Sequence, residues 1–173
     1  MSIGFLGLIG QGILTSHAAS RLQGPERSRL LVQHALWQAS GLVAVAGAFW
    51  AVYQSKEIRG TPHFSNWHAR TGLAAMSLSV LSALGGAVAF GKTGLLQFVP
   101  KDVQPVIKTA HRNAGVVTIL VSTIAIEMGL IMPTAYQGAL SHWMQGLIAG
   151  MALLIAYLAW APEPAKSAGA KAR

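Results

Sequence analysis

Long uncharged stretches alternate with short polar ones along this chain. Residues 2–20, 30–55, 71–91, 113–126 and 128–162 hold no Asp, Glu, Lys or Arg. A helix rises about 1.5 Å per residue, so roughly 20 apolar residues cross the ~30 Å hydrocarbon layer of a bilayer. Leu30–Tyr53, Arg70–Phe90 and Arg112–Met132 reach that length, the last interrupted only by Glu127. The stretch from Met128 to Pro162 is too long for one span. Pro133 and Tyr136-Gln137-Gly138 predict a turn within it, which leaves Leu140–Trp160 as a further helix. The opening window, with Gly4, Gly7, Gly10 and Gly12, is short and has no polar flank before it. Small residues at Ser16–Ala19 suit a cleaved leader, but the basic n-region of a leader is missing, and a membrane helix that begins in mid-span fits better. The pattern predicts an all-α integral membrane bundle of about five helices over residues 1–161. A short disordered tail is expected at 162–173.

Composition sharpens this picture. Only 10% of the side chains are charged and 53% are hydrophobic, against about 25% charged in a soluble domain. Mean hydropathy is +0.48. The net charge of +8 would ordinarily suggest nucleic acid. Here the cations fall between apolar runs and cannot form a continuous basic face, so no nucleic-acid partner is expected. The absence of cysteine removes disulfides, thiolate nucleophiles, Cys-ligated zinc, iron–sulfur clusters and covalently attached haem. Histidine is the one strong transition-metal ligand left.

The loops orient the bundle. With five spans, one face receives Arg21, Arg27, Arg29, Lys92, Lys101, Lys108, Arg112, Lys166, Lys171 and Arg173. The other receives Lys56, Arg59 and Arg70. The excess marks the first face, and with it the C-terminus, as cytoplasmic.

His34, His68 and His111 each open a predicted helix. Consecutive helices run antiparallel, so His34 and His111 enter from the cytoplasmic face and His68 from the other. Two imidazoles at matching depth on different helices can clamp one haem iron from both sides. His68 and His111 are each followed four residues on by glycine, at Gly72 and Gly115, on the same helical face. His34 has Gly41 two turns on. A porphyrin plane lying against a helix needs such a missing side chain, although small residues also serve close helix packing.

These residues carry a resemblance to a family. The run Lys56-Glu-Ile-Arg-Gly-Thr-Pro-His63-Phe-Ser-Asn-Trp-His68-Ala-Arg-Thr-Gly72 resembles the central loop and ligand motif of the cytochrome b561 family. Within it, the cytochrome b561 domain-containing proteins, with "His-Phe-x-Ser-Trp-His", are the most similar group. His34-Ala-Leu-Trp-Gln-Ala-Ser-Gly41 is similar to the family's "His-x-x-Leu-Gln" helix. His111-Arg-Asn-Ala-Gly115 with Ile124-Ala-Ile-Glu-Met-Gly-Leu130 is similar to its "His-x-x-x-Gly … Ala-x-Glu-x-Gly-Leu" helix.

The resemblance implies a six-helix core, two b-type haems, and electron transfer across a membrane from ascorbate to monodehydroascorbate or ferric iron. It pairs His34 with His111 on the cytoplasmic side. It gives His68 a partner histidine that lies, in the family, just upstream of the methionine matching Met1. The chain is therefore expected to be a shortened version of the core with one complete haem site. His17 lies at the wrong end to pair with His68, while His142 is at the right end and is a non-family option. Arg27, Arg29, Lys108 and Arg112 form a cationic vestibule suited to anionic ascorbate, or serve membrane orientation alone. His63 is placed in the loop, as a substrate or ferric-iron contact or as a solvated residue. Glu127, 16 residues beyond His111, either assists proton coupling or meets an internal partner. The partners implied are these small molecules, the lipid bilayer and, as one option, a second copy in a homodimer. A quinone-linked haem anchor subunit and a haem-free helical scaffold stand as the alternative readings.

Overall fold

The computed structural model describes residues 1–90, 95–131 and 139–160, with side chains in the last helix described for 142–157. Lys92, the turn at Pro133–Gly138 and the tail beyond Trp160, with Lys166, Lys171 and Arg173, lie outside the described residues. Among the described residues five α-helices follow in order: α1 (Gly10–Ser20), α2 (Gly24–Ile58), α3 (Trp67–Ala89), α4 (Gln104–Leu130) and α5 (Ala139–Trp160). A π-helical stretch, Ile3–Ile9, runs directly into α1, and a 3₁₀ turn, Leu95–Phe98, precedes α4. Among the described residues there is no strand. α2, α3 and α4 are long and apolar enough to cross a membrane. The apolar part described in α5, His142–Tyr157, is shorter.

Local chemistry fixes the helix ends. Pro25 and Pro105 stand in the first turns of α2 and α4, where a missing N–H costs nothing. The Asn66 side chain caps α3 by accepting from the Ala69 N–H at 2.8 Å. Just past the end of α2 stands Gly60, whose φ of +60° lets the Thr61 N–H return to the Lys56 carbonyl and its own N–H to Glu57. The loop that follows is tightly built. Phe64 takes φ 51°, and its ring stacks on Phe49. Its carbonyl accepts from Arg70 Nε, and Lys56 Nζ donates to the Pro62 carbonyl. Much of the motif between Lys56 and Arg70 thus holds α2 and α3 in register.

α3 packs chiefly on α4, α1 with its π-helical lead packs on α2, and α5 lies against α4 and α1. The core joins Phe5, Leu6, Ile9 and Ile13 of the opening segment to Val45, Ala75, Ile119, Ile126, Ala152 and Ile155. The first segment therefore contributes four side chains to the packed core. Small residues, Ala75 and Ser79 from α3 and Thr118 and Ser122 from α4, are buried on the two helices that pack most closely. Val43, Leu81, Leu84, Leu147 and Leu153 are exposed on the outside. A water-facing bundle would bury such side chains, and a lipid-facing one presents them.

Candidate functional site

Three histidines make the same contact. His34 Nδ1 bonds the Gly12 carbonyl at 2.7 Å, from α2 to α1. His68 Nδ1 bonds the Ala125 carbonyl at 2.7 Å, from α3 to α4. His111 Nδ1 bonds the Ser82 carbonyl at 2.9 Å, from α4 to α3. A carbonyl only accepts, so each Nδ1 carries a proton, and in the neutral ring Nε2 then keeps its lone pair. A histidine that gives its other nitrogen to a metal uses this arrangement to fix tautomer and ring orientation.

The structure brings His34 and His111 together. Their ring centroids lie 6.2 Å apart with planes at 75°. A metal–imidazole bond is about 2 Å, and each ring centre lies about 1 Å behind its nitrogen, so two rings on one ion sit roughly 6 Å apart. The measured separation suits a shared axial pair. Two nitrogens fall short of a metal's full coordination shell, and a macrocycle supplying four more fits the donor set. Gly72 and Gly115 face open space, with nothing within 4 Å of a Cβ built on either. Porphyrin contact at these two positions is therefore sterically open.

Gly41 behaves differently from the sequence expectation. A Cβ there would lie 2.5 Å from Ile9 Cγ1 and 3.2 Å from the Gly4 carbonyl. Its missing side chain serves the close approach of the opening segment to α2, and no porphyrin face is available at that position.

His68 sits at the opposite end of the bundle, and among the described residues no second ring is in contact with it. His17 is engaged by Arg21, whose Nη2 donates to His17 Nε2 at 3.0 Å. His142 is exposed on α5. His63 lies in the α2–α3 loop but is not a solvated ring. It stacks on Tyr53 at 4.1 Å, bonds Glu57 Oε1 through Nε2 at 2.7 Å, and its side chain is only 23% exposed. Arg27, Arg29, Lys108 and Arg112 are exposed on the first turns of α2 and α4, at the end that holds His34 and His111. Glu127 Oε1 is buried with no hydrogen-bond partner among the described residues. At about 100° per residue Glu127 leaves the face that Ala125 and Gly129 present to His68, so it is not beside that ring.

Sequence reasoning missed the glycines under two of the rings. A Cβ on Gly86 would lie 2.7 Å from His111 Cε1, and one on Gly129 would lie 2.8 Å from His68 Cε1. A signal was present. His68, Gly72, Ser79 and Gly86 stand at the same spacing as His111, Gly115, Ser122 and Gly129, each 43 positions earlier.

Comparison with known families adds one match: the model described as eukaryotic cytochrome b561 covers residues 1–137. No curated protein and no solved structure matches the chain.

Proposed function

The chain belongs to the eukaryotic cytochrome b561 family, membrane proteins that pass electrons through b-type haem, and on that premise we propose that His34 and His111 are the two axial ligands of one haem. The observation that carries this is the facing pair at 6.2 Å, each ring tethered through Nδ1 to a neighbouring helix. His68 is the ligand at the other end, where among the described residues no second imidazole meets it. Bound haem supplies an iron that alternates between ferric and ferrous. His34 and His111 would hold that iron through their Nε2 atoms, and a metal held on both sides would exchange electrons with substrates without binding them.

Ascorbate is the proposed donor, on the cytoplasmic side. Arg27, Arg29, Lys108 and Arg112 surround the end of the bundle nearest the paired histidines, and their field concentrates an anion there. Monodehydroascorbate or ferric iron is the proposed acceptor on the opposite face, where His63 is steadied by Glu57 and Tyr53 and keeps Nδ1 for a substrate. The C-terminal tail belongs to the cytoplasmic face in this reading.

Haem stoichiometry tests the assignment. A pyridine haemochrome assay on the purified chain is expected to give close to one haem per chain, in a low-spin form reduced by ascorbate. A ratio near two would show that His68 has a partner after all and direct attention to His142. A colourless protein would sink the ligand assignment.

A further inference from the structure

We infer that Gly86 and Gly129 are positioning residues that set the planes of the His111 and His68 imidazoles. The inference rests on reading these histidines as haem ligands. At Gly86 the three atoms nearest a built Cβ are all on the His111 ring, at 2.7 Å for Cε1 and 3.3 Å for each nitrogen. At Gly129 they are all on the His68 ring, at 2.8 Å for Cε1, 3.1 Å for Nδ1 and 3.6 Å for Nε2. The atoms a side chain would meet first are ring atoms of a histidine on the neighbouring helix. Glycine in a helix interior is less favourable than alanine, and here the bare Cα leaves room for an imidazole edge.

The arrangement is reciprocal. His111 of α4 bonds the Ser82 carbonyl of α3 and rests on Gly86, four residues further on. His68 of α3 bonds the Ala125 carbonyl of α4 and rests on Gly129, again four residues on. Positions four apart share a helical face, so one surface both accepts the Nδ1 proton and supports the ring. The two constraints act on different motions. The hydrogen bond fixes one atom of the ring, and the contact with Cα limits how the ring turns about that atom. A methyl on Gly86 must displace the ring, and the displaced ring either loses the Ser82 carbonyl or changes its angle to His34. That angle, 75° between the two rings, would matter electronically. Crossed imidazole planes leave the two π-type d orbitals of a low-spin ferric iron close in energy, and rotation toward parallel splits them.

The test is Gly86→Ala, Gly129→Ala and the control Gly85→Ala, a neighbour with nothing within 4 Å of its Cβ. Electron paramagnetic resonance of the oxidised, haem-loaded chain should show a shifted or lost low-spin signal in G86A and an unchanged one in G85A and G129A. Nitrogen NMR of the ¹⁵N-histidine-labelled, haem-free chain should shift the His111 ring alone in G86A and the His68 ring alone in G129A. Variants that match the parent in both spectra would overturn the inference, as would variants that shift both rings equally. If G86A does not accumulate, it is combined with His111→Ala. Recovery of folded protein in that double variant identifies the ring as the obstruction, and continued failure assigns Gly86 to helix packing and overturns the proposal. A parent chain with no low-spin haem would defeat the ligand reading, while the NMR arm still decides the role of the glycines.

Discussion

The α1–α2 and α3–α4 pairs use the same parts for different ends. In both, an imidazole of one helix donates across to a backbone carbonyl of its antiparallel neighbour. In α3–α4 the exchange is mutual, and glycine lies under each ring. In α1–α2 it runs one way, from His34 to Gly12, and the glycines meet aliphatic and amide groups. A Cβ on Gly4 would lie 2.7 Å from Val45 Cγ2, and one on Gly12 would lie 2.5 Å from Gln38 Nε2. One pair spends its bare backbone on ring placement and the other on helix approach. Glycine in a membrane helix therefore has no single meaning, and its role is read from what lies opposite it.

The largest expected effect separates the paired site from the lone one. His34→Ala or His111→Ala should abolish the same low-spin haem, because each iron requires both axial nitrogens. The double variant should be no worse than either single one, since partners acting as a unit are non-additive. His68→Ala, at the far end, should leave that spectrum intact. Absorbance and paramagnetic resonance spectra of the purified variants check all four. Loss of the haem in His68→Ala alone would mean that the two ends had been exchanged.

A middle-sized effect probes the glycines. Gly41→Ala overpacks against Ile9 and the Gly4 carbonyl, and overpacking costs about 1–3 kcal/mol. It should lower the thermal unfolding midpoint of the haem-free chain in detergent. Gly115→Leu faces open space, so it should spare that midpoint and instead reduce haem uptake. Equal destabilisation by both, with normal haem content in Gly115→Leu, would remove the distinction between packing and porphyrin-facing glycines.

The smallest effect concerns the charges. Arg29→Glu and Lys108→Glu should keep the full haem spectrum and slow its reduction by ascorbate. The slowing should fade as salt is raised, because the Debye length falls to about 10 Å at 0.1 M. Stopped-flow reduction at two ionic strengths measures it. A defect independent of salt would argue against electrostatic gathering of the anion.

Much of the architecture was legible in the chain itself. Apolar windows near 20 residues, bounded by Arg, Lys, Pro and Asn, have few physical outcomes besides membrane helices. α2, α3 and α4 appear where the windows beginning at Leu30, Arg70 and Arg112 are apolar, each extended at its polar N-terminal end. The lack of cysteine left histidine as the one strong transition-metal ligand, and the matching depth of His34 and His111 was legible in the chain. The sequence did not determine what each glycine does. Gly41 reads in the chain as a porphyrin face and packs on Ile9, whereas Gly86 shows no sign in isolation of the ring it carries. Nor could the chain name the carbonyls of Gly12, Ser82 and Ala125 as acceptors. The reason is physical: every residue has a carbonyl, and a glycine's only side chain is a hydrogen, so neither carries a chemical label. Their roles arise from the distance and angle at which a second helix passes, and only the packed bundle sets these.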